Sequence, residues 1–326
     1  MVTGHVNDRY DVVVIGGGAT GLSGALTLAR ARRSVVVIDA GSPRNAPASG
    51  VHGLLGHDGV APVDLLARGL AEVRRYGGQV VSGEVAAVTS VDGSDSSRFT
   101  VALADGRSTT SRRLLVASGL VDELPDIPGL AARWGRDVVH CPYCHGWEVR
   151  DRSIGVLATG PMSVHQALLF RQWSDDVTFF THTWPMPGPE EAEKLAARDI
   201  PVVTGEVVSL EIDNDRITAV RLADGYAVPR SVIAVSTYLK ARASFLTPLE
   251  LSSAPHPMGI GEHLPADSTG RTTVPGVWVA GNVTDLVAQV GAAAAAGAAA
   301  AAQINADLVE EETRQAVTAY RAQPVR

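Results

Sequence analysis

Asp11-Val12-Val13-Val14-Ile15-Gly16-Gly17-Gly18-Ala19-Thr20-Gly21 is the stretch from which the architecture can be read. The aliphatic run before Gly16 has the pattern of a short buried strand. Leu22 to Ala31 reads as a helix, and Ser34-Val35-Val36-Val37-Ile38 reads as a second strand ending in Asp39. Gly16, Gly18 and Gly21 have the G-x-G-x-x-G spacing. The first glycine permits a tight turn, and the second lets a pyrophosphate approach the backbone. The third lets helix and strand pack closely, with the phosphate on the helix N-terminus. Asp39 lies where a carboxylate would meet ribose hydroxyls. The same glycines could make a tight turn that holds no ligand. Two strands, a helix and an acid in the right order favour the dinucleotide reading.

Working outward, 326 residues suggest about two domains at ~100–200 residues each. A hydrophobic share of 45% provides enough aliphatic mass for sizeable cores, and 33 glycines suit many tight strand-to-helix turns. The net charge is −7 with no basic run, so nucleic acid is not an expected partner. Met1 to Tyr10 lacks the charged start and apolar core of a secretory signal. The longest apolar candidate, Val287 to Ala302, is mostly Ala and Gly and falls short of the ~20 residues a membrane span needs. No membrane association and a cytoplasmic location are therefore expected, and there a thiol pair is more often working than structural.

Ser42 to Gly59 is a Gly, Pro, Ser and His-rich loop that could cover a ligand. Its His52 and His57 read most simply as loop residues. Val63 to Tyr76 is an amphipathic helix. Gln79 to Val91 and Phe99 to Leu103 read as strands about an Asp92–Arg98 turn. Ser111 to Ser118 reads as an apolar strand, and Pro125 to Gly129 as a linker. The strand–turn–helix–strand design then recurs. Ser153 to Leu157 is a strand, Ala158-Thr159-Gly160-Pro161-Met162-Ser163 the turn, Val164 to Trp173 a helix and Val177 to Phe180 a strand. Here Ala158 replaces the first glycine, and Pro161 removes a backbone donor. Thr181-His182-Thr183 follows, with no acid for a ribose and no arginine pair for a phosphate. Pro201 to Val220 makes strands about an Asp213–Asp215 turn, and Ser231 to Val235 is a further strand. Val277 to Asn282 is a strand running into a turn. Val290 to Val309 is a long Ala-Gly helix, and Glu310–Glu312 a solvated helix face.

His140-Cys141-Pro142-Tyr143-Cys144-His145 holds the only two cysteines of the chain. A thiol pair at this spacing can close to a disulfide and reopen, and a cationic or helix-start setting makes a cysteine nucleophilic. Structural zinc usually takes two such pairs, and a second pair is missing. Zinc held by both cysteines and both histidines, or two plain core cysteines, are the competing readings. No metal is expected. Tyr143, Trp134 and Trp147 read as packing or surface aromatics.

These residues in this order resemble the low-molecular-weight thioredoxin reductase family of flavoproteins. The resemblance rests on Gly16-x-Gly18-x-x-Gly21 with Asp39, on Cys141-x-x-Cys144, and on Ala280-Gly281-Asn282-Val283-Thr284-Asp285 followed by Gln289-Val290. It implies an α/β fold of two Rossmann-like three-layer nucleotide-binding domains and a homodimer. The FAD domain would be discontinuous, residues 1–121 with 243–326. Residues 122–242 would form a degenerate NAD(P)-binding-like domain carrying the cysteines. The implied FAD contacts are Gly16, Gly18, Ala19, Thr20 and Gly21, then Asp39 and Ala40. Arg44, Asn45, His52 and Val85 follow, then Ser118 and Gly119. Gly281, Asn282, Gln289 and Val290 complete the set.

The sequence departs from the reductases in three ways. They carry an aspartate proton donor after the second cysteine, where this chain has His145. A histidine titrates near neutral pH, so it can accept a proton from a thiol as well as return one. They carry a glycine-rich turn and His-Arg-Arg where this chain has the Ala158–Ser163 turn and Thr181-His182-Thr183, so charge-assisted phosphate contacts are lost. Their Gly-Asp is Gly281-Asn282 here. Together these features look like the dithiol oxidase branch, whose members close disulfides in small natural products such as gliotoxin and holomycin. The resemblance implies that a substrate thiolate attacks Cys141, that Cys144 passes electrons to FAD, and that oxygen takes them to give hydrogen peroxide. His145, and secondarily His140, would move protons. A disulfide reductase fed by NADPH or ferredoxin, and a non-catalytic flavin redox sensor, are the alternatives.

Overall fold

The computed structural model describes residues 6–91 and 98–323. Of the expected Asp92–Arg98 turn only Arg98 lies among them, and the start of the polar N-terminal stretch, Met1 to His5, lies outside. Strand β1 (Arg9–Ile15) runs into helix α1 (Ala19–Arg30) and strand β2 (Val35–Asp39), as the opening motif predicts. Helix α2 (Pro62–Arg75) follows, then β3 (Gln79–Ser82), β4 (Val85–Ser90), β5 (Phe99–Leu103) and β6 (Ser108–Val116). The expected single strand from Gln79 to Val91 is thus two strands. β1 lies between β2 and β6, parallel to both, with Val13 opposite Val36 and Leu114. Burial on both faces explains its unbroken aliphatic run. The sheet order is β3-β2-β1-β6-β5-β4, with the β4–β5 hairpin antiparallel.

The chain leaves this sheet through β7 (Leu120–Glu123) and enters a second unit with β8 (Val138–Val139) and the one-turn helix α3 (Pro142–His145). Then come β9 (Ile154–Leu157), α4 (Ser163–Phe170), β10 (Val177–Phe180), α5 (Pro189–Ala196), β11 (Val202–Val203), β12 (Val207–Asp213), β13 (Arg216–Leu222), β14 (Ala227–Pro229) and β15 (Val232–Val235). A parallel sheet β11-β10-β9-β15-β8 forms the middle layer. Phe170 of α4 and Leu195 of α5 cover one face, and the antiparallel β12-β13-β14 sheet covers the other through Leu210 and Val220. Pro125–Gly129 is not a free linker. Ile127 is buried in this core, and the Pro128 carbonyl accepts the Leu210 N–H. The chain returns along β16 (Tyr238–Ala241), antiparallel to β7, so the two crossings between units are zipped together. β17 (Ala254–Pro255) and β18 (Gly261–His263) extend that pair to four strands.

Strand β19 (Val277–Val279) then adds to the first sheet beside β6, and helix α6 (Val290–Arg321) closes the domain. α6 packs on α1 over one sheet face, where Val12, Val14, Trp278, Ile304 and Leu308 meet. The opposite face is covered by Phe245 and Leu246. A Cβ added at Gly297 of α6 would lie 2.0 Å from the Thr20 carbonyl oxygen, so this helix pair needs glycine at its contact. No helix among the described residues is long and apolar enough to cross a membrane.

Two expectations fail together at the C-terminal end of α6. The helix runs to Arg321, not Val309, and Glu310–Glu312 is not a solvated face. Only Glu310 is exposed. Glu311 is buried and bonds Arg112 at 3.0 Å and Arg113 at 2.6 Å, while Glu312 bonds Arg33 and Arg112 at 2.6 Å. Arg113, on a strand that reads as apolar, is 2% exposed and also holds Asp307. Burial opposes charge on Glu311, but the bonds from Arg113 and Arg112 outweigh it and hold its carboxyl at about 2.

Glu311→Gln should therefore cost about 3–5 kcal/mol near neutral pH, because it strands buried arginines. A carboxyl depressed in the fold stabilises above its unfolded value of 4.5 and loses that contribution as pH falls toward about 2. Urea melts should show the native protein weakening through that window and the variant much less so. Gly297→Ala should invert the usual helix rule. Alanine normally favours a helix by about 1 kcal/mol over glycine, whereas here the clash with Thr20 should lower stability by about 1–3 kcal/mol in a thermal melt.

Candidate active site

The β1–α1 turn is built as a ligand cradle. Gly16 takes φ +107°, a conformation that side chains resist. A Cβ at Gly18 would meet nothing within 4 Å, so the backbone there is open to an approaching group. The first turn of α1 has no side-chain cap. Asp39 ends β2 and accepts the Gly17 N–H at 3.1 Å. Gln289, just ahead of α6, likewise brings no side-chain cap, so two helix N-termini lie on one cavity. That cavity measures about 1230 Å³. Ordinary ligand pockets hold ~300–1,000 Å³, so there is room for a dinucleotide and a second, smaller ligand.

Gly16, Gly18, Ala19, Thr20, Asp39 and Ala40 line the cavity, as do Arg44, Asn45, His52, Val85, Ser118 and Gly119. Asn282, Gln289 and Val290 close the set, and all four residues of the expected redox group, Cys141, Cys144, His145 and His140, face the same space. Gly21 and Gly281 do not line it. Added Cβ atoms there would lie 1.9 Å from the Gly16 carbonyl oxygen and 2.2 Å from the Thr20 hydroxyl, so both serve packing. Asn282 donates its amide to the carbonyls of Asp285 at 3.0 Å and Ala288 at 2.9 Å, which stitches the turn ahead of α6. Tyr143 and Trp134 reach the cavity, whereas Trp147 is exposed and stacks on Arg150.

Cys141 sits just ahead of α3, with Pro142 as the first helical residue. Its thiol is hydrogen-bonded by the Cys144 thiol and by the N–H groups of Cys144 and Tyr143, with Arg44 nearby. The Cys144 thiol is the largest influence and, with the others, brings Cys141 from 9.0 to about 7. Cys144 is pushed up by sharing that bond and by burial. The pair therefore holds one negative charge on Cys141 and keeps the proton on Cys144.

The surrounding charges are arranged in two groups. Arg44 grips the buried Asp122 with a fork of two 2.7 Å bonds, and Thr237 completes the carboxylate at 2.8 Å. Arg44 thus lines the cavity with its guanidinium already committed. His140 hydrogen-bonds the Val235 carbonyl through Nδ1 at 3.2 Å, and burial followed by Arg44 lowers its pKa. His145 differs. Neither of its ring nitrogens has a hydrogen-bond partner among the described residues, and burial lowers its pKa. A neutral, unpartnered imidazole one residue from Cys144 can take a thiol proton.

The second turn is closed. Ser163 is 1% exposed, and its hydroxyl accepts the N–H groups of Thr159 at 3.1 Å and Gly160 at 3.2 Å. The donors that such a turn would offer to a phosphate are satisfied internally. At the end of β10 Thr181 is buried, and His182 spends Nδ1 accepting the Val207 N–H at 3.1 Å. α4 starts at Ser163 and ends at Phe170, three residues short of the expected Trp173. Sequence reading passed over Asp122, Ser163, Glu148 and Gln166, which donates to the His140 carbonyl at 2.7 Å. Ser163, the first residue of α4, bonds back to the turn rather than capping the helix, so a capping pattern would not have revealed its role. Among the described residues no group of three or more His, Cys, Asp or Glu side chains is placed to hold a metal.

Alkylation of the reduced protein by iodoacetamide should rise with pH through a midpoint near 7, the value Cys141 holds. Cys144→Ala, which removes the largest cause, should move that midpoint upward; an unchanged midpoint would show that Cys144 does not lower the Cys141 pKa.

Comparison with known proteins agrees with this geometry. Residues 10–302 match the family model described as pyridine nucleotide-disulphide oxidoreductase. The chain is 30% identical over 288 residues to "Thioredoxin reductase tcpT" of Claviceps purpurea, covering 83% of this chain and 86% of that one. It is 35% identical over 227 residues to "Thioredoxin reductase aclD" of Aspergillus oryzae, covering 67% and 68%. The crystal structure of HlmI superposes with a TM-score of 0.90 at 46% identity, covering 97% of this chain and 98% of that one. The chain belongs to the pyridine nucleotide-disulphide oxidoreductase family, as a thioredoxin reductase-like enzyme whose cofactor is FAD.

Proposed function

We propose that this protein is an FAD-dependent dithiol oxidase. It would close a disulfide within a small natural-product dithiol and pass the electrons to molecular oxygen, giving hydrogen peroxide. The observation that carries the reading is the Ser163 hydroxyl, which occupies the N–H groups of Thr159 and Gly160 that a pyridine nucleotide would need. With no cation at His182 either, electrons have no evident nucleotide source and must enter through the cysteines. The names of the fungal relatives point to reductases; the capped turn argues for the opposite direction of flow here.

The residues divide the work as follows. One thiolate of the substrate attacks Cys141 of the Cys141–Cys144 disulfide and displaces Cys144. The second thiolate attacks the substrate sulfur of that mixed disulfide, forms the product S–S bond and expels Cys141. The low pKa of Cys141 makes it a good leaving group at this step. His145 takes the proton from an incoming thiol, and His140, held by Val235, stays neutral beside it. FAD, when bound, supplies a two-electron acceptor that oxygen can reoxidise. The cradle at Gly16–Thr20, with Asp39, Asn282 and Gln289, would hold it. We assign FAD to a discontinuous domain, residues 1–121 with 243–326, and the cysteines to an inserted domain, residues 122–242. A homodimer, from the family resemblance, and a cytoplasmic location, as the sequence reading expects, complete the proposal.

Anaerobic addition of dithiothreitol to the holoenzyme should bleach the flavin, and air should restore it with release of hydrogen peroxide. NADPH in place of the dithiol should leave the colour unchanged, and Cys141→Ser should abolish turnover. Bleaching by NADPH alone would reverse the assignment.

A further inference from the structure

Oxidation of one dithiol releases two electrons and two protons. Bound FAD would take up the electron pair and one proton at neutral pH, which leaves one proton for the protein to carry away from the sulfurs. It returns when oxygen takes the pair and departs as hydrogen peroxide. His145 is the acceptor inside the cavity, yet its ring nitrogens touch no other polar group among the described residues. A route outward is needed.

One cluster lies beside it that the cysteine chemistry does not use, although its His52, expected among the FAD contacts, lines the same cavity. Glu148 follows His145 by three residues. The Val149 N–H bonds the His145 carbonyl at 3.2 Å, so helical geometry continues past α3 and sets Glu148 on the same side as His145. From the Ser42–Gly59 loop of the other unit, His52 reaches across. Its Nε2 lies 3.4 Å from Glu148 Oε1 and its Nδ1 lies 3.5 Å from Asp58 Oδ1. The outer end of this line, Asp58, opens to solvent. The side chain of His52 is 24% exposed, Glu148 34% and Asp58 71%. An imidazole with a carboxylate at each nitrogen can receive a proton on one side and release it on the other.

We propose that Glu148 and His52 form the outer half of a proton path, which carries the thiol proton from His145 to Asp58 and solvent. The inference rests on the dithiol-oxidising direction proposed above. Both are positioning and relay residues, since neither touches the reacting sulfurs. The charged and titratable groups around His145 are Cys141 and Cys144 on its own segment, Glu148 one turn on, His52 from the loop and His140 from the strand end. Glu148 raises the His145 pKa, whereas His52 and His140 lower it.

The test is anaerobic flavin bleaching of the holoenzyme by dithiothreitol, followed against pH. Glu148→Gln and His52→Ala should each slow bleaching by about tenfold or more, at the lower end of general acid–base effects. Added imidazole should restore much of the rate to His52→Ala and little to the wild type. The acid limb of the profile should move in opposite directions. It should shift to lower pH in Glu148→Gln and to higher pH in His52→Ala, because Glu148 raises the His145 pKa and His52 lowers it. Wild-type rates and profiles in both variants overturn the path. So does equal slowing with no imidazole rescue and no opposed shift, the result expected if the pair only ties the two units together. If the wild type is not bleached at all, the oxidase reading falls and takes the path with it, whereas bleaching with unaffected variants removes the path alone.

Discussion

The contact of Gly297 with Thr20 is the constraint on which the site depends. It brings the C-terminal helix against the backbone of the N-terminal glycine turn with no side chain between them. Only then do the N-termini of α1 and α6 point into one cavity. Their unsatisfied N–H groups and helix dipoles make a single anion-binding cradle from segments about 270 residues apart. The Arg112, Arg113, Glu311 and Glu312 network fixes the other end of α6 to β6 and, through Arg33, to the turn between α1 and β2. Segments so far apart in sequence have no chain continuity to hold them together, so packing and ion pairing supply it.

The electrostatics of the cavity are uneven by construction. Asp122 would be costly as a lone buried carboxylate, and Arg44 and Thr237 compensate it. With its fork committed, Arg44 still contributes a positive field at both cysteines. The α3 N–H groups add to it at Cys141 alone. Negative charge is thus welcome on one sulfur and not on its neighbour. A shared proton completes the asymmetry, and a buried neutral histidine lies next in sequence to the sulfur that keeps the proton.

The legible part of this molecule was what is local in sequence. Glycine spacing, an acid at a strand end and a Cys-x-x-Cys flanked by histidines are short-range patterns; they foretold β1–α1–β2 and singled out four side chains that line one cavity. What long-range pairing decides was not legible. Arg112 and Arg113 look misplaced in an apolar strand until Glu311 arrives from 198 or more positions away. Glu310–Glu312 looks solvated for the same reason. His52 reads as a loop residue because nothing near it in sequence reveals Glu148. The long helix was cut short at Val309 because its charged tail has no apolar period, while its stability there comes from ion pairs.

Ties across the two units bear on how such an enzyme would work. Arg44 grips Asp122, His52 meets Glu148, and Pro47 packs so closely on Gly135 that an added Cβ would lie 2.7 Å away. Pro161, from the closed turn, approaches Gly259 on the far side of the cavity. A nucleotide-driven reductase must present its cysteines to two partners in turn, the flavin and an outside disulfide. That alternation favours units that part easily. An oxidase whose dithiol is small has no such requirement, because cysteines, flavin cradle and substrate space already share one cavity. Contacts that would hinder alternation then cost nothing, and each can be kept for its local effect: Arg44 for the charge at Cys141, Pro161 for the turn whose N–H groups Ser163 occupies.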